Sequence, residues 1–439
     1  MGVTNAKAGL RLNGIIESYV AGSGGINAGD FTKHVNGGYG SVHKISSLYG
    51  HHMSAVALDS TRVFVAYTDG DAHLWGIVCT ISGTGITTGT EIEINAAYYA
   101  GYAISAILLD STHVFIAHGN YTLYSVICTI SGTTITIGPI KTIDDSPPEA
   151  IALSAVKLTE TKVFIAYSYY NSSVENSFKL YGVVCTVSGT NIISGLNTVI
   201  NSSDYSGNFI SATALSSTSV FIHHSSFNGT YAYNHVVVCT ISGATITAGT
   251  DVRGTTIPAI DHNNTVALSA VTLDPTHVFI AHTSNADQHF LASNVCTVSG
   301  TTISIGPNYY ISNIENSGLS FSVLALDASN VVVYHHAPSS TATLYYVNVG
   351  ISGTSISVGT DTLLVNDSHA AANNPSAAVV GSFGTIFVAF PYSSSTDIYG
   401  IVKSYDSVVT VSSSSDTILG VSKQTKNEGE TVDVIVPNV

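Results

Sequence analysis

The sequence predicts an all-β chain, a seven-bladed β-propeller of four-stranded antiparallel blades with a small terminal β segment. Three observations carry that prediction. A phrase of about fifty residues recurs seven times, a period that suits four strands and their loops. Each copy holds short β-branched and aromatic runs separated by turn signals. No run shows the three-to-four-residue spacing of an amphipathic helix.

The recurrence is plainest where Ser54-Ala-Val-Ala-Leu-Asp59 aligns with Ser105-Ala-Ile-Leu-Leu-Asp110, Ser154-Ala-Val-Lys-Leu-Thr159, Ser211-Ala-Thr-Ala-Leu-Ser216 and Ser269-Ala-Val-Thr-Leu-Asp274. Ser322 and Ser376 open two weaker copies, and successive starts lie 49 to 58 residues apart.

Within a copy the first run ends in a turn such as Asp59-Ser-Thr-Arg62 or Asp274-Pro-Thr-His277, where Asp caps and Pro275 takes the favoured second position. A second run follows, Val63-Phe-Val-Ala-Tyr67 or Val278-Phe-Ile-Ala-His282, with the composition of a strand buried on both faces. A variable stretch leads to a third strand, Trp75 to Ser82, and Gly83-Thr-Gly turns the chain into a fourth, Ile86 to Ile94. Four-stranded units that cannot cover their own faces must stack, and a ring leaves no terminal copy bare.

Gly22 to Val35 aligns with Ser82 to Asn95 and reads as an orphan fourth strand. It would either complete the last copy, which loses its Ser-Gly pattern after Lys403, or form part of a stalk. The expected organisation is an N-terminal β segment at 1–45, the propeller at 46–410 and a C-terminal hairpin anchor at 411–439. In the hairpin, Thr417 to Lys423 and Thr431 to Val436 flank a polar turn.

Charged residues are 9% of the chain against about 25% in ordinary soluble domains. The surface should therefore be neutral and hydroxyl-rich. A formal net charge of -15 with only thirteen Lys and Arg leaves no basic stripe for nucleic acid. No apolar stretch approaches the roughly eighteen residues of a membrane span, and the start has no secretion signal, so synthesis in a cytoplasm and no membrane insertion are expected.

Cys79, Cys128, Cys185, Cys239 and Cys296 share one repeat position in the third strand, which Val349 and Lys403 fill in the last copies. One cysteine per blade cannot easily pair, so reduced and buried thiols are expected. The second strand ends in Tyr67, His118, Tyr167, His224, His282, His335 and Phe390. Tyr and Phe are poor stand-ins for a ligating imidazole, so the ring of positions reads as packing, with no metal or other cofactor. Asp69-Gly-Asp71 is too short for a calcium loop. His-Glu-x-x-His, Gly-x-Ser-x-Gly and phosphate-loop motifs are absent, as are the Ser-x-Asp-x-Gly-x-Thr-Trp boxes of propeller sialidases, so no enzyme is expected.

Two loop sets, second-to-third and fourth-to-first, diverge between copies, and antiparallel topology puts both on one face. Tyr98, Tyr99, Tyr102, His118, Tyr169, Tyr170, His224, Tyr231, Tyr233, His282, Tyr309, Tyr310, His335 and His336 gather there. Aromatic rings on an uncharged background suit sugars, and these are the candidate binding residues. Solvated loops drifting without selection would look the same.

Ile26-Asn-Ala-Gly-Asp30-Phe near one end and Ile418-Leu-Gly-Val-Ser-Lys423 with Gly429-Glu-Thr-Val-Asp-Val-Ile-Val-Pro437 near the other resemble bacteriophage structural proteins. The relevant members are small β modules of head-decoration and tail-appendage type that carry inserted domains. Ser422 stands where alanine is common in that pattern. The resemblance implies a non-enzymatic virion surface protein made in the host cytoplasm and held by its termini to other virion proteins in multiple copies. Its loop face would meet a host-surface glycan or decorate the particle. A free glycan-binding propeller lectin and a glycoside-cleaving propeller enzyme are the alternatives.

Overall fold

The computed structural model describes residues 39–403 except 49, 51, 98–102, 120, 146–151, 172–176, 202–208, 228–231, 258–266, 285–288, 316, 319, 339–341, 367–374, 381–384 and 392–396, together with an antiparallel hairpin of Lys7–Leu12 and Ile15–Val20. Gly22 to Val35 and the C-terminal segment 411–439 lie outside the described residues.

Seven antiparallel sheets follow one another along the chain. In blade 1 the inner strand Met53–Ala57 pairs with Arg62–Thr68, which pairs with Leu74–Ser82. The outer strand comes in two pieces, Gly85–Thr88 and Ile92–Asn95, both paired to that third strand. Blades 2 to 6 repeat the plan over 103–144, 153–201, 210–257, 268–312 and 321–366. Blade 7 takes its three inner strands from Ser376–Val380, Thr385–Pro391 and Ile398–Lys403. Its outer strand is His43–Ser46, paired to Ile398–Lys403.

An N-terminal strand therefore completes the last blade, drawn from a segment later than Gly22 to Val35. Its register follows the other blades: Gly40 N–H donates to Val402 O at 2.9 Å, as Gly89 does to Val78 O and Gly138 to Ile127 O. The glycine is required because a Cβ on Gly40 would lie 2.5 Å from Thr84 O, in the blade 1 hairpin. Gly89 meets Thr133 of blade 2 in the same way. The described part of the ring thus begins at Tyr39, which bridges Lys403.

Second-strand residues alternate between two neighbours, as a period of two demands. Val63, Val65 and Tyr67 pack toward blade 7, while Phe64 and Ala66 pack toward blade 2. Seven apolar clusters fill seven interfaces between consecutive blades, the seventh joining blade 7 to blade 1 through Ile45, Val380, Phe387, Val63 and Val65. Every blade buries both faces, which no open stack of these sheets would do.

The repeating serine is explained at the innermost strands. Ser54 Oγ accepts the Ala106 amide at 3.0 Å, Ser105 that of Ala155, Ser154 that of Ala212, Ser211 that of Ala270, and Ser322 that of Ala377. Ser376 Oγ accepts the Ala55 amide and makes the same link from blade 7 back to blade 1. Each link offers a partner to an amide that no fifth strand reaches.

The uniform turns also have local causes. Asp59, Asp110, Asp274 and Asp327 each accept the amide two residues on at 2.7 to 2.8 Å, and Thr159 and Ser216 hydroxyls do so at 3.2 Å in blades 3 and 4. Gly83, Gly132, Gly189, Gly243, Gly300 and Gly353 open the third-to-outer hairpins with φ between 59° and 65°, the first central position of a two-residue II′ turn.

Candidate functional site

The two ends of each blade define two faces. Short hairpins form one face, and the strand ends at Thr68, Leu74 and Asn95, with their counterparts, lead to the other. Tyr39 and Lys403 meet at the level of the Cys79–Thr88 pair, next to the blade 1 hairpin position. The described chain therefore enters blade 7 at Tyr39 and leaves it at Lys403 on the hairpin side, opposite the divergent loops.

Beneath the loop face, several blade junctions are clasped by an acid from the start of the second outer piece or the end of the preceding outer strand. Tyr67 Oη donates to Glu91 Oε2 at 2.6 Å, and Ser46 Oγ of blade 7 donates to the same oxygen at 2.7 Å. Tyr167 Oη donates to Asp144 Oδ2 of blade 2 at 2.8 Å. His335 Nε2 lies 2.8 Å from Asp361 Oδ1, whose other oxygen accepts Ser312 Oγ of blade 5 at 2.9 Å. In blade 4, His224 Nε2 lies 3.0 Å from Asp251 Oδ1, while His235 Nδ1 and Asn201 Nδ2 of blade 3 lie 2.7 and 2.8 Å from Asp251 Oδ2.

A second ring, from the third strand, stacks on the first in most blades. The pairs are His118 with Tyr124, Tyr167 with Tyr181, His224 with His235, His335 with Tyr345 and Phe390 with Tyr399, at centroid separations of 5.3 to 6.5 Å. These contacts account for the flat side chain at this position in those five blades, whereas His282 of blade 5 faces Ala292. Burial holds the Tyr67 phenol well above the usual tyrosine range. The Asp251 carboxyl, though burial opposes it, is held below the usual carboxylate range by its bonds to His224 and His235.

The structure divides the candidate binding residues. Tyr310 is 49% exposed and packs edge-on against Phe290, and Tyr309 is half-buried beside it. His118, His224, Tyr233, His282, His335 and His336 are buried. His118, His224, His282 and His335 underlie the loop face as inter-blade packing, because the alternation that points Tyr67 into a junction points each aligned ring the same way. Tyr233 and His336 are buried at other positions, on the third strand of blade 4 and one residue past His335. Tyr169 and Tyr170 lie on the second strand of blade 3. Tyr98, Tyr99, Tyr102 and Tyr231 lie outside the described residues. Sequence reasoning passed over Tyr121, 48% exposed at the end of a second-to-third loop, which carried no repeat signal. It also passed over His235 and Asp251, which the fold brings to His224.

The five cysteines are free and buried, and burial pushes their thiols up to about 12. Lys403, at the same position in blade 7, is buried with its Nζ 4.3 Å from the Tyr346 ring centroid, and burial brings it down to about 8. Asp69 caps its own turn through the amides of Asp71 and His73 and accepts Trp75 Nε1 at 2.9 Å.

No protein-family model matches the sequence, and no curated protein matches it. Among solved structures, the chain is similar to the six-bladed propeller of the fungal Aleuria aurantia lectin, described with a fucose recognition mode. The identity is 14% over 72% of this chain and 97% of that one, with a TM-score of 0.44. AofleA from Arthrobotrys oligospora matches at 11% identity, 74% and 91% coverage and a TM-score of 0.45. The NanB sialidase of Streptococcus pneumoniae matches at 12% identity, 85% and 70% coverage and a TM-score of 0.44. Likeness at this level says nothing about which ligand this chain takes.

Proposed function

We propose that the chain is a non-enzymatic display protein, held to a larger assembly by its two flanking segments and presenting the loop face of its propeller to a neutral glycan. The observation that carries this reading is that the described ring begins and ends at one point on the hairpin side, at Tyr39 and Lys403. That arrangement attaches one side of the disc and frees the other. Low charge across the chain and exposed Tyr121 and Tyr310 favour a ligand bound by ring stacking and neutral hydrogen bonds. Glu91, Asp251 and Asp361 each sit at a different blade junction and each accept bonds from neighbouring side chains. That supports clasping as their role over a pair of carboxylates cooperating across a glycosidic bond.

The resemblance of the flanks to bacteriophage structural proteins supports a virion as the assembly, with other virion proteins as partners and several copies per particle. Immunogold labelling of intact particles tests the location. A glycan array tests the ligand class: the full chain should bind a neutral saccharide, and Tyr310→Ala and Tyr121→Ala should each weaken that binding. Absence of binding by the parent, or unchanged binding by both variants, removes the glycan reading.

A further inference from the structure

The clasp of blade 4 differs from the others in a way that repeat position alone does not require. At the third-strand position that carries Tyr124, Tyr181, Tyr345 and Tyr399 in blades 2, 3, 6 and 7, blade 4 carries His235. The result is a group of two imidazoles and a carboxylate whose ligand atoms all lie within 4.8 Å of one another, the one such group among the described residues. The geometry points to a binding site for a divalent transition-metal cation of the zinc class, held by His224 Nε2, His235 Nδ1 and Asp251.

The donor set is that of a three-protein-ligand zinc site with one position left for water. His224 Nε2 lies 3.0 Å from Asp251 Oδ1 and His235 Nδ1 2.7 Å from Oδ2, shorter by roughly 0.3 and 0.6 Å than the roughly 3.3 Å edge of a tetrahedron with bonds of about 2.0 Å. A small outward movement of the carboxylate would admit the ion.

The protons have somewhere to go. His224 Nδ1 faces Ser225 O at 3.3 Å, so the neutral tautomer protonated at Nδ1 keeps a partner while Nε2 turns its lone pair to the metal. A ligating imidazole commonly makes such a bond to a carbonyl. His235 can likewise hold its proton at Nε2. The His224 side chain is fully buried, whereas His235 is 15% and Asp251 24% exposed, which leaves a solvent approach past those two side chains. The nearby cation Arg253 is stacked on Tyr233, 3.5 Å from its ring centroid. Asn201 of blade 3 bonds Asp251 Oδ2, which places the site at the junction of blades 3 and 4.

The test is calorimetric titration of tag-free, chelator-treated full-length protein with Zn2+ alone, together with the visible spectrum of Co2+ added in its place. The expected result is one ion per chain, a tetrahedral Co2+ spectrum and a rise in melting temperature with Zn2+. Asp251→Asn and His235→Tyr, the second installing the side chain that four other blades carry, should each weaken Zn2+ binding about tenfold or more while keeping the native circular dichroism spectrum. Failure of the parent to bind one equivalent of Zn2+ would overturn the site. So would binding that persists undiminished in both variants, since it would then reside elsewhere among the seventeen histidines. Neither result bears on glycan binding at Tyr310.

Discussion

The backbone amide of Ala55 donates to Ser376 Oγ at 2.8 Å, across 321 residues of sequence. The same bond joins Ala106 to Ser54 between blades adjacent in the chain. The join between the last blade and the first is thus made with the same chemistry as the internal ones.

Removing that hydroxyl should be as damaging as removing an internal one. Ser376→Ala leaves the Ala55 amide without its acceptor, at a cost of about 1–3 kcal/mol, and Ser105→Ala should cost a similar amount through Ala155. Denaturant melts of the two variants check this. A neutral Ser376→Ala beside a damaging Ser105→Ala would mean that the final junction contributes little.

Glycines of two kinds should respond differently to alanine. At Gly132 a Cβ meets nothing within 4 Å, but φ is +61°, so Gly132→Ala should cost about 1 kcal/mol from backbone strain alone. At Gly76 the backbone is ordinary, yet a Cβ would lie 2.8 Å from Ile94 Cδ1 and 3.0 Å from Phe64 Cζ. Gly76→Ala should cost about 1–3 kcal/mol through overpacking, and Phe64→Leu in the same chain should recover part of it. Thermal melts of the single and double variants measure both effects.

Stability should fall in mild acid. Burial, aided at His223 by the neighbouring His282, brings the imidazole of His223 down to about 3, and burial brings His282 and His336 down to about 4. In the unfolded chain each titrates near 6.5, so below that pH the unfolded state takes up protons that the folded state refuses. The contribution is complete above about pH 6.5 and is lost progressively toward pH 4. Melting temperature measured from pH 8 to pH 4 should drop across this window, and His282→Phe should flatten the drop. A curve unchanged by that substitution would remove His282 from the cause.

The cysteines should be silent until the fold opens. Thiols held near 12 by burial carry almost no thiolate at pH 8. A thiol reagent should therefore label none of the five in the native protein and all five in denaturant. Rapid native labelling of Cys239 or Cys296 would show that their interfaces breathe.

The blades were legible because their defining residues act locally and repeat. The Ser-Ala step makes the inner belt, the Asp-x-Thr turn caps its own amide, and Ser-Gly-Thr needs a positive φ. The outer strand of blade 7 was harder to place. Tyr39-Gly40-Ser41-Val42-His43-Lys44-Ile45-Ser46 has no Ser-Gly hairpin before it, since its partner strand lies more than 350 residues away. Only the lone glycine that packs on Thr84 marks it. The site was less legible still. The packing role of His224, His282 and His335 was legible from their alignment with Tyr67 and Phe390, but their place beneath the loop face rather than on it depends on the pleat, which turns them into the junctions. The group formed with His235 and Asp251 requires three strands in register, which spacing along the chain does not reveal.

Closure of the ring by its own N-terminal strand is tested most directly by amide hydrogen exchange at the outer strand of blade 7. The Gly40 amide and those of His43 to Ser46 should exchange as slowly as Gly138 and Lys141 to Asp144, their counterparts in blade 2. Exchange of the 40–46 amides at the rate of an unstructured chain, beside a protected blade 2, would contradict a closed seven-bladed ring.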